Sequence, residues 1–473
     1  MAPKRRRTGA CINCRNRRVK CDEARPVCGR CQSRSLECNV PEFIVHDRRS
    51  TAPPRGARRR QSNGDQTAAP LRILPSTPES TYDVFRQIQL VQSPDPEVAP
   101  PSAETQRPVI TVQVLDLVRR YQSGIGAWMD VLDHSSTYRR QVTRLAASSE
   151  LLMYSICALS AKQMSLVGEH SIWEPVAGRF YGQSLRMLIH GLNQLDTSYG
   201  EVLVATILLS SYELLAVPGP DYRRHLDGVS SLLRSHRLSS ISAGLERASF
   251  WIYARHDVAM ALINHCPPLI ATSEWPDAIT SGDPEEDAMG NQVLWLLARV
   301  IELRFAPPGG VTDDRKQRLR DVGEQVDRWW DKLPLTSRGL SAGDQSEDGL
   351  SQLWFCVQSA AAGLLYYYVA KILLLEESRE PSLGNEDCES DGCIEQLHSQ
   401  SRSIASICFS PGVEDGVLVV AVNPLYYAAK YAPSLSLKAK IWALLDKIET
   451  ELGFHTRSRV MELQKELESQ IGA

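Results

Sequence analysis

The chain has 473 residues, 12 cysteines and a formal net charge of −3. That average conceals a polarity: the first 60 residues hold 17 Lys and Arg against 5 Asp and Glu, and the remainder holds 36 against 51. A basic front end is an electrostatic footprint for nucleic acid. It lacks the apolar run that begins a secreted chain, so a persistent disulfide scaffold is excluded and a cytosolic or nuclear chain is expected.

Residues 1 to 10 form a basic tail. Lys4, Arg5, Arg6 and Arg7 make a compact run that reads as a nuclear import signal, with a phosphate-binding arm as the alternative. Arg58, Arg59 and Arg60 form a second such run.

Residues 11 to 38 hold six cysteines: Cys11, Cys14, Cys21, Cys28, Cys31 and Cys38. They form two copies of a Cys-x2-Cys-x6-Cys unit offset by 17 residues. Redox Cys-x2-Cys pairs sit beside strands of α/β folds, and this segment is almost without β-branched residues, so a metal site is the expected chemistry. All-thiolate ligation points to zinc, with an iron–sulfur cluster as the weaker alternative. Two tetrahedral zinc ions need about eight ligand positions, and six thiolates suffice if two sulfurs bridge. A segment this short buries little core, so metal binding supplies most of its folding free energy and the zinc is structural.

The two copies differ in their six-residue gaps. The first holds Arg15, Arg17, Arg18 and Lys20; the second nets no charge. This asymmetry assigns the contact with a polyanion to the first copy. A short helix from Arg15 to Lys20, pinned at both ends by metal ligands, suits insertion into a major groove. Arg and Lys donate there to guanine O6 and N7, so a G-rich half-site is expected.

Ala10 through Asp22, with Pro26, Cys28, Gly29, Cys31 and Cys38, resembles the fungal binuclear zinc cluster DNA-binding domain. The resemblance implies a small two-helix cluster holding two zinc ions, with Cys11 and Cys28 as the bridging thiolates and Pro26 at the turn between halves. It also implies a CGG-like triplet in double-stranded DNA, read by Arg18 and Lys20, while Arg15 and Arg17 grip phosphates. The family often has Lys where this chain has Arg18, and a guanidinium fork is not equivalent to an ammonium.

Residues 39 to 108 are rich in Pro, Ser, Thr and Gln and read as a disordered, flexible linker, with one weak helix around Tyr82 to Val91. The apolar heptads of a dimerising coiled coil do not appear after the cluster. Monomeric binding and a homodimer formed through the C-terminal domain both stay open.

Residues 109 to 473 show helical periodicity and read as a mainly all-α domain. Tyr181, Leu185, Leu188, Leu192 and Leu195 form one apolar stripe; Tyr222, Leu226, Val229 and Leu233 form another. Further stripes join Leu319, Val322, Val326, Trp329 and Leu333, and Leu437, Ile441, Leu445 and Ile448. Val202 to Leu209 is apolar all round and reads as a buried central helix. Period-two alternation is scarce apart from a β-branched run at Val417 to Val422. No stretch reads as a membrane span: Phe355 to Leu375 comes closest, and Lys371 interrupts it at a cost of roughly 2.5 to 3.5 kcal/mol.

The segments Tyr222 to Val229 and Ala248 to Leu262 resemble the fungus-specific regulatory domain found behind such clusters. That resemblance implies an all-α domain that controls activation and receives co-regulators, transcription machinery or small effectors. Arg255, His256 and Asp257, like His225 and Asp227, read as internal ion pairs or caps of helices and not as catalytic groups. Cys388 and Cys393 are read with the acidic stretch Glu376 to Asp391 as a surface loop and not a second metal site, and Cys157, Cys266, Cys356 and Cys408 are expected in the core. Gly124 and Gly126 lack the rest of a dinucleotide fingerprint.

The expectation is therefore a nuclear, sequence-specific DNA-binding regulator of RNA polymerase II transcription, without enzymatic activity. Layouts of this kind often control a metabolic or secondary-metabolite gene set. The alternative is a helical enzyme or effector-binding protein that uses the zinc module only as a tether to DNA or protein.

Overall fold

The structure is a computed structural model, and it describes residues 28–34, 108–168, 170–192, 198–216, 223–236, 242, 244–275, 287–306, 312–379 and 391–471. The chain divides into two units, Met1–Leu74 and Pro75–Ala473. In the first, the described residues form one turn, α1 (Gly29–Gln32).

Serine and threonine start several helices of the second unit, because a side-chain oxygen there satisfies an N–H that has no partner within the helix. Thr111 accepts from Val114 at 3.2 Å and opens α2 (Val112–Ser123). Gly124 ends α2 and leads into α3 (Ile125–Met129). Asp130 then accepts from the Tyr138 and Arg139 backbone N–H groups, at 2.9 and 2.7 Å, and so holds the π-helical turn Thr137–Val142. A short α4 (Thr143–Ala146) precedes α5 (Glu150–Val167), which Ser149 caps through Leu152 at 3.3 Å.

The core forms around α5, which packs against α2, α6 (His170–Leu192) and α7 (Tyr199–Ala216). Leu152, Ile156 and Leu159 of α5, Leu188 of α6 and Leu203 of α7 are fully buried. Val202 to Leu209 is buried throughout, as expected for a helix apolar on every face. α8 (Arg223–Ser235) packs on α7 and on α9 (Gly244–Asn264) through the buried Leu226, Val229 and Leu233.

A second layer contains α10 (Ala288–Arg304), α11 (Thr312–Lys332) and α12 (Gln358–Ser378). Leu319, Val322, Val326, Trp329 and Leu333 all turn inward, so the stripe read from the sequence is the buried face of α11. α12 is long and apolar enough to cross a membrane, yet 67% of its most apolar window is buried inside the domain. Its Lys371 reaches Asp327 of α11 at 2.7 Å. Both observations fit a core helix of the bundle.

Between α11 and α12 lies an antiparallel hairpin, β1 (Leu340–Gln345) and β2 (Ser351–Trp354), which the helical periodicity did not predict. An isolated two-stranded hairpin is marginal in water. Here the N–H groups of Ser351 and Leu353 donate to Ser406 and Ser410 at 3.1 and 2.8 Å. Ser406 is on α13 (Asp391–Phe409) and Ser410 directly follows it, so that helix supports the strand.

The chain closes with α14 (Asp415–Val420), α15 (Val422–Lys430), α16 (Leu435–Lys447), a π-helical turn Ile448–Leu452 and α17 (Arg457–Ile471). The β-branched run Val417 to Val422 is thus helical: tertiary packing overrides a weak strand preference, and Val417 is fully buried. The acidic stretch expected as a loop, Glu376 to Asp391, is described only at its ends, and Cys388 lies outside the described residues. Glu376 and Glu377 end α12 and meet Arg304, Arg315 and Lys430, while Cys393 is buried in α13.

Candidate metal centre and nucleic-acid interface

Cys28 immediately precedes α1 and Cys31 lies within it. The N–H groups of Cys31 and Gln32 both donate to the Cys28 carbonyl at 2.9 Å, and the Arg34 N–H donates to the Cys31 carbonyl at 3.2 Å. Residues three apart on such a turn share a face. Both cysteines are 1% exposed, whereas Gln32, Ser33 and Arg34 face solvent. A helical turn this short, burying two thiols and exposing its polar residues, fits a soft-metal site in which metal ligation replaces a hydrophobic core.

Cys28 and Cys31 could hold such an ion as thiolates, and the ion would supply structural cross-linking. The other expected ligands, Cys11, Cys14, Cys21 and Cys38, lie outside the described residues. So do the expected DNA contacts Arg15, Arg17, Arg18 and Lys20, the basic run Lys4, Arg5, Arg6 and Arg7, and residues 39 to 107 of the expected linker.

In the helical unit, Arg255, His256 and Asp257 share α9 without forming a catalytic arrangement. The Asp257 carboxylate accepts from the backbone N–H groups of Leu269 and Ile270 and from the Tyr253 hydroxyl, holding the loop after α9. Arg255 donates to the carbonyls of Trp128, at 3.3 Å, and Met129, and so closes the end of α3. The caps expected for these residues are present, and no Arg255–Asp257 ion pair accompanies them. His256 is half-buried; desolvation, reinforced by the charge of Arg255, pushes its pKa down to about 3, so it is neutral at pH 7.

The remaining cysteines divide. Cys157 and Cys408 are buried, and burial pushes the Cys157 thiol up to about 12, which keeps it inert. Cys266 is half-buried, and Cys356 is exposed in the connection between β2 and α12, contrary to its expected place in the core. It continues the in–out alternation that begins in β2, so Phe355 beside it is buried and Cys356 faces outward.

Asp133, His134 and Asp287 bring three ligand-type atoms within 4.8 Å of one another, a grouping the sequence did not suggest. Their oxygens already serve the backbone. Asp133 accepts from Ser135 and Thr137, and Asp287 accepts from the His134 N–H and pairs with its ring. The cluster is a set of turn caps.

Known proteins show the same two-part organisation. Residues 9–44 match the fungal Zn(2)-Cys(6) binuclear cluster domain. Residues 116–465 match the fungal specific transcription factor domain. The transcription activator AMTR1 of Alternaria alternata is 23% identical over 338 residues, covering 56% of this chain and 43% of that protein. The aspercryptin biosynthesis cluster-specific transcription regulator atnN of Emericella nidulans is 42% identical over 76 residues, 16% of this chain and 12% of that protein. The transcription factor FUP7 of Fusarium proliferatum is 43% identical over 56 residues, 12% of this chain and 20% of that protein. The chain thus spans less than half the length of each of these relatives. No solved structure matches it.

Proposed function

Because the chain belongs to the family of the fungal specific transcription factor domain, whose members are regulators of transcription and not enzymes, we propose that it is a nuclear regulator of RNA polymerase II transcription that reads CGG-like half-sites in double-stranded DNA. The observation that carries this reading is the buried Cys28–Cys31 pair, set on a single helical turn inside the segment that matches the zinc cluster domain.

In this reading Cys11, Cys14, Cys21, Cys28, Cys31 and Cys38 hold two structural zinc ions, with Cys11 and Cys28 bridging. The metal sites are closed, so the zinc orders the segment and performs no chemistry on a substrate. Arg18 and Lys20 reach guanine O6 and N7, and Arg15 and Arg17 anchor phosphates. Lys4, Arg5, Arg6 and Arg7 direct nuclear import. Residues 39 to 108 tether the cluster to residues 109 to 473, which act as the regulatory domain, receive co-regulators or transcription machinery, and provide any homodimer contact. The name of the Emericella relative, a biosynthesis cluster-specific regulator, supports a biosynthetic gene set as the target.

Selection of sites from random DNA by the full chain tests the proposal. Recovery of one CGG-like triplet supports monomeric reading, and paired triplets at fixed spacing support a dimer. Equal recovery of all sequences refutes specific readout by Arg18 and Lys20. If the module neutralises about three to five phosphates, log affinity falls with log salt at a slope of about −3 to −4.5.

A further inference from the structure

A cavity of about 180 Å³ lies inside the helical unit, walled by residues from Ile125 to Arg459. Most of its wall is aliphatic, including Leu159, Leu215, Ile263, Leu297, Val369 and Val420. No aspartate or glutamate lines it, yet two arginines do, Arg255 and Arg459. These are 9% and 5% exposed, and the Nε of each is buried without a hydrogen-bond partner.

The two guanidiniums differ in what balances them. Arg459 pairs with Glu462 at 2.9 Å and donates to the Asn423 side-chain oxygen at 3.1 Å. Arg255 donates only to two backbone carbonyls and, among the described residues, has no carboxylate within ion-pair distance. Asp130 and Asp133, near enough to act on it electrostatically, have their oxygens engaged by the backbone N–H groups of Tyr138 and Arg139 and of Ser135 and Thr137. A buried charge without a counterion is costly, and an uncommitted N–H beside it adds to that cost. An anion in the cavity would offset the cost of the buried charge.

We propose that this cavity binds a small organic monocarboxylate, whose carboxylate pairs with Arg255 and whose apolar body, about the size of a phenyl ring, fills the aliphatic space. The size follows from the volume, since a cavity of roughly 150 Å³ accommodates benzene. The sign follows from the wall, which offers cations and no acid. Apolar lining with a few polar groups is the usual composition of a ligand site. Because the wall joins α3, α9 and α17, an occupant stabilises the domain by binding only its folded form. The inference goes beyond the DNA-reading proposal and does not depend on it.

The test uses the full zinc-loaded chain without DNA and compares phenylacetate, 2-phenylethanol and phenethylamine by titration calorimetry, with Trp128 in the wall as a fluorescence reporter. Phenylacetate is expected to bind at one site, at least about ten-fold more tightly than the alcohol, since charge-assisted hydrogen bonds are roughly twice as strong as neutral ones; the amine is expected not to bind. Arg255→Met removes the preference for the acid. As Arg255 also closes α3, Val420→Trp provides a second variant that fills the cavity and leaves the guanidinium in place; once circular dichroism shows it folded, it must lose phenylacetate binding. Equal affinity for acid and alcohol, retained binding in folded Val420→Trp, or no saturable binding of any probe overturns the proposal.

Discussion

Asn423, in α15, accepts a hydrogen bond from Arg459 of α17 at 3.1 Å, while its own amide N–H donates to the Ala259 carbonyl of α9 at 3.4 Å. One side chain thereby joins three helices far apart in sequence, and the Arg459 guanidinium also lies 4.6 Å over the Tyr426 ring. Asn423→Leu keeps the branching of the side chain but leaves a buried donor and acceptor unmatched, which costs about 1–3 kcal/mol. Urea unfolding of the variant is expected to shift its midpoint down without changing the slope. An unchanged midpoint would show that the bridge contributes nothing.

Gly290 of α10 and Gly363 of α12 mark a close helix crossing. A Cβ added at Gly363 would stand 3.1 Å from the Gly290 Cα, which is backbone and cannot rotate away. Gly178, in α6, has nothing within 4 Å of that position. Gly363→Ala is therefore expected to destabilise by about 1–3 kcal/mol through overpacking, despite the better helix propensity of alanine. Gly178→Ala is expected to stabilise by about 0.4–1 kcal/mol. Chemical denaturation of the pair reads both signs against the same parent.

Lys162, buried in α5, pairs with Glu174 of α6 at 2.8 Å, and Ser165 donates to the same carboxylate at 2.8 Å. Desolvation pushes Glu174 up, but the bonds from Lys162 and Ser165 outweigh it and hold the carboxyl below its ordinary value of 4.5. A depressed acid contributes stability that is fully present above its unfolded value and is lost as pH falls through the folded one. Thermal stability should thus fall as the pH drops below about 4.5, and Glu174→Gln should flatten that part of the profile. An identical profile in the variant would remove Glu174 from the account.

Metal removal should separate the two parts of the chain. Chelation, or Cys28→Ser with Cys31→Ser, is expected to abolish DNA binding because a segment without a core folds only with its metal. Far-ultraviolet circular dichroism should keep most of its helical signal, since the buried leucines of α5, α6 and α7 do not depend on zinc. Full retention of specific DNA binding by the chelated protein would contradict a structural role for the metal.

Helix faces were the most legible part of the fold. Leu437, Ile441, Leu445 and Ile448 were grouped by spacing alone and are all buried. The β-hairpin was not legible, because Leu-Ser-Ala-Gly-Asp-Gln and Ser-Gln-Leu-Trp contain no β-branched residue and the hairpin leans on Ser406 and Ser410 more than fifty residues away. Cys356 was misplaced for a related reason. In extended backbone successive side chains point to opposite faces, so Cys356 faces outward although the apolar Phe355 beside it is buried.

The sequence alone determined the zinc-cluster assignment and the helical class. Both rest on short-range spacing: a Cys-x2-Cys-x6-Cys repeat limits its own chemistry, and a stripe at intervals of three and four defines its own helix face. Tertiary structure alone decided what Arg255 does. Its sequence neighbours left an ion pair or a cap open; its partners are the carbonyls ending α3, and it borders a cavity whose wall runs from Ile125 to Arg459. Periodicity tells which side of a helix leaves water; which distant residues meet it there is settled only by how the helices pack.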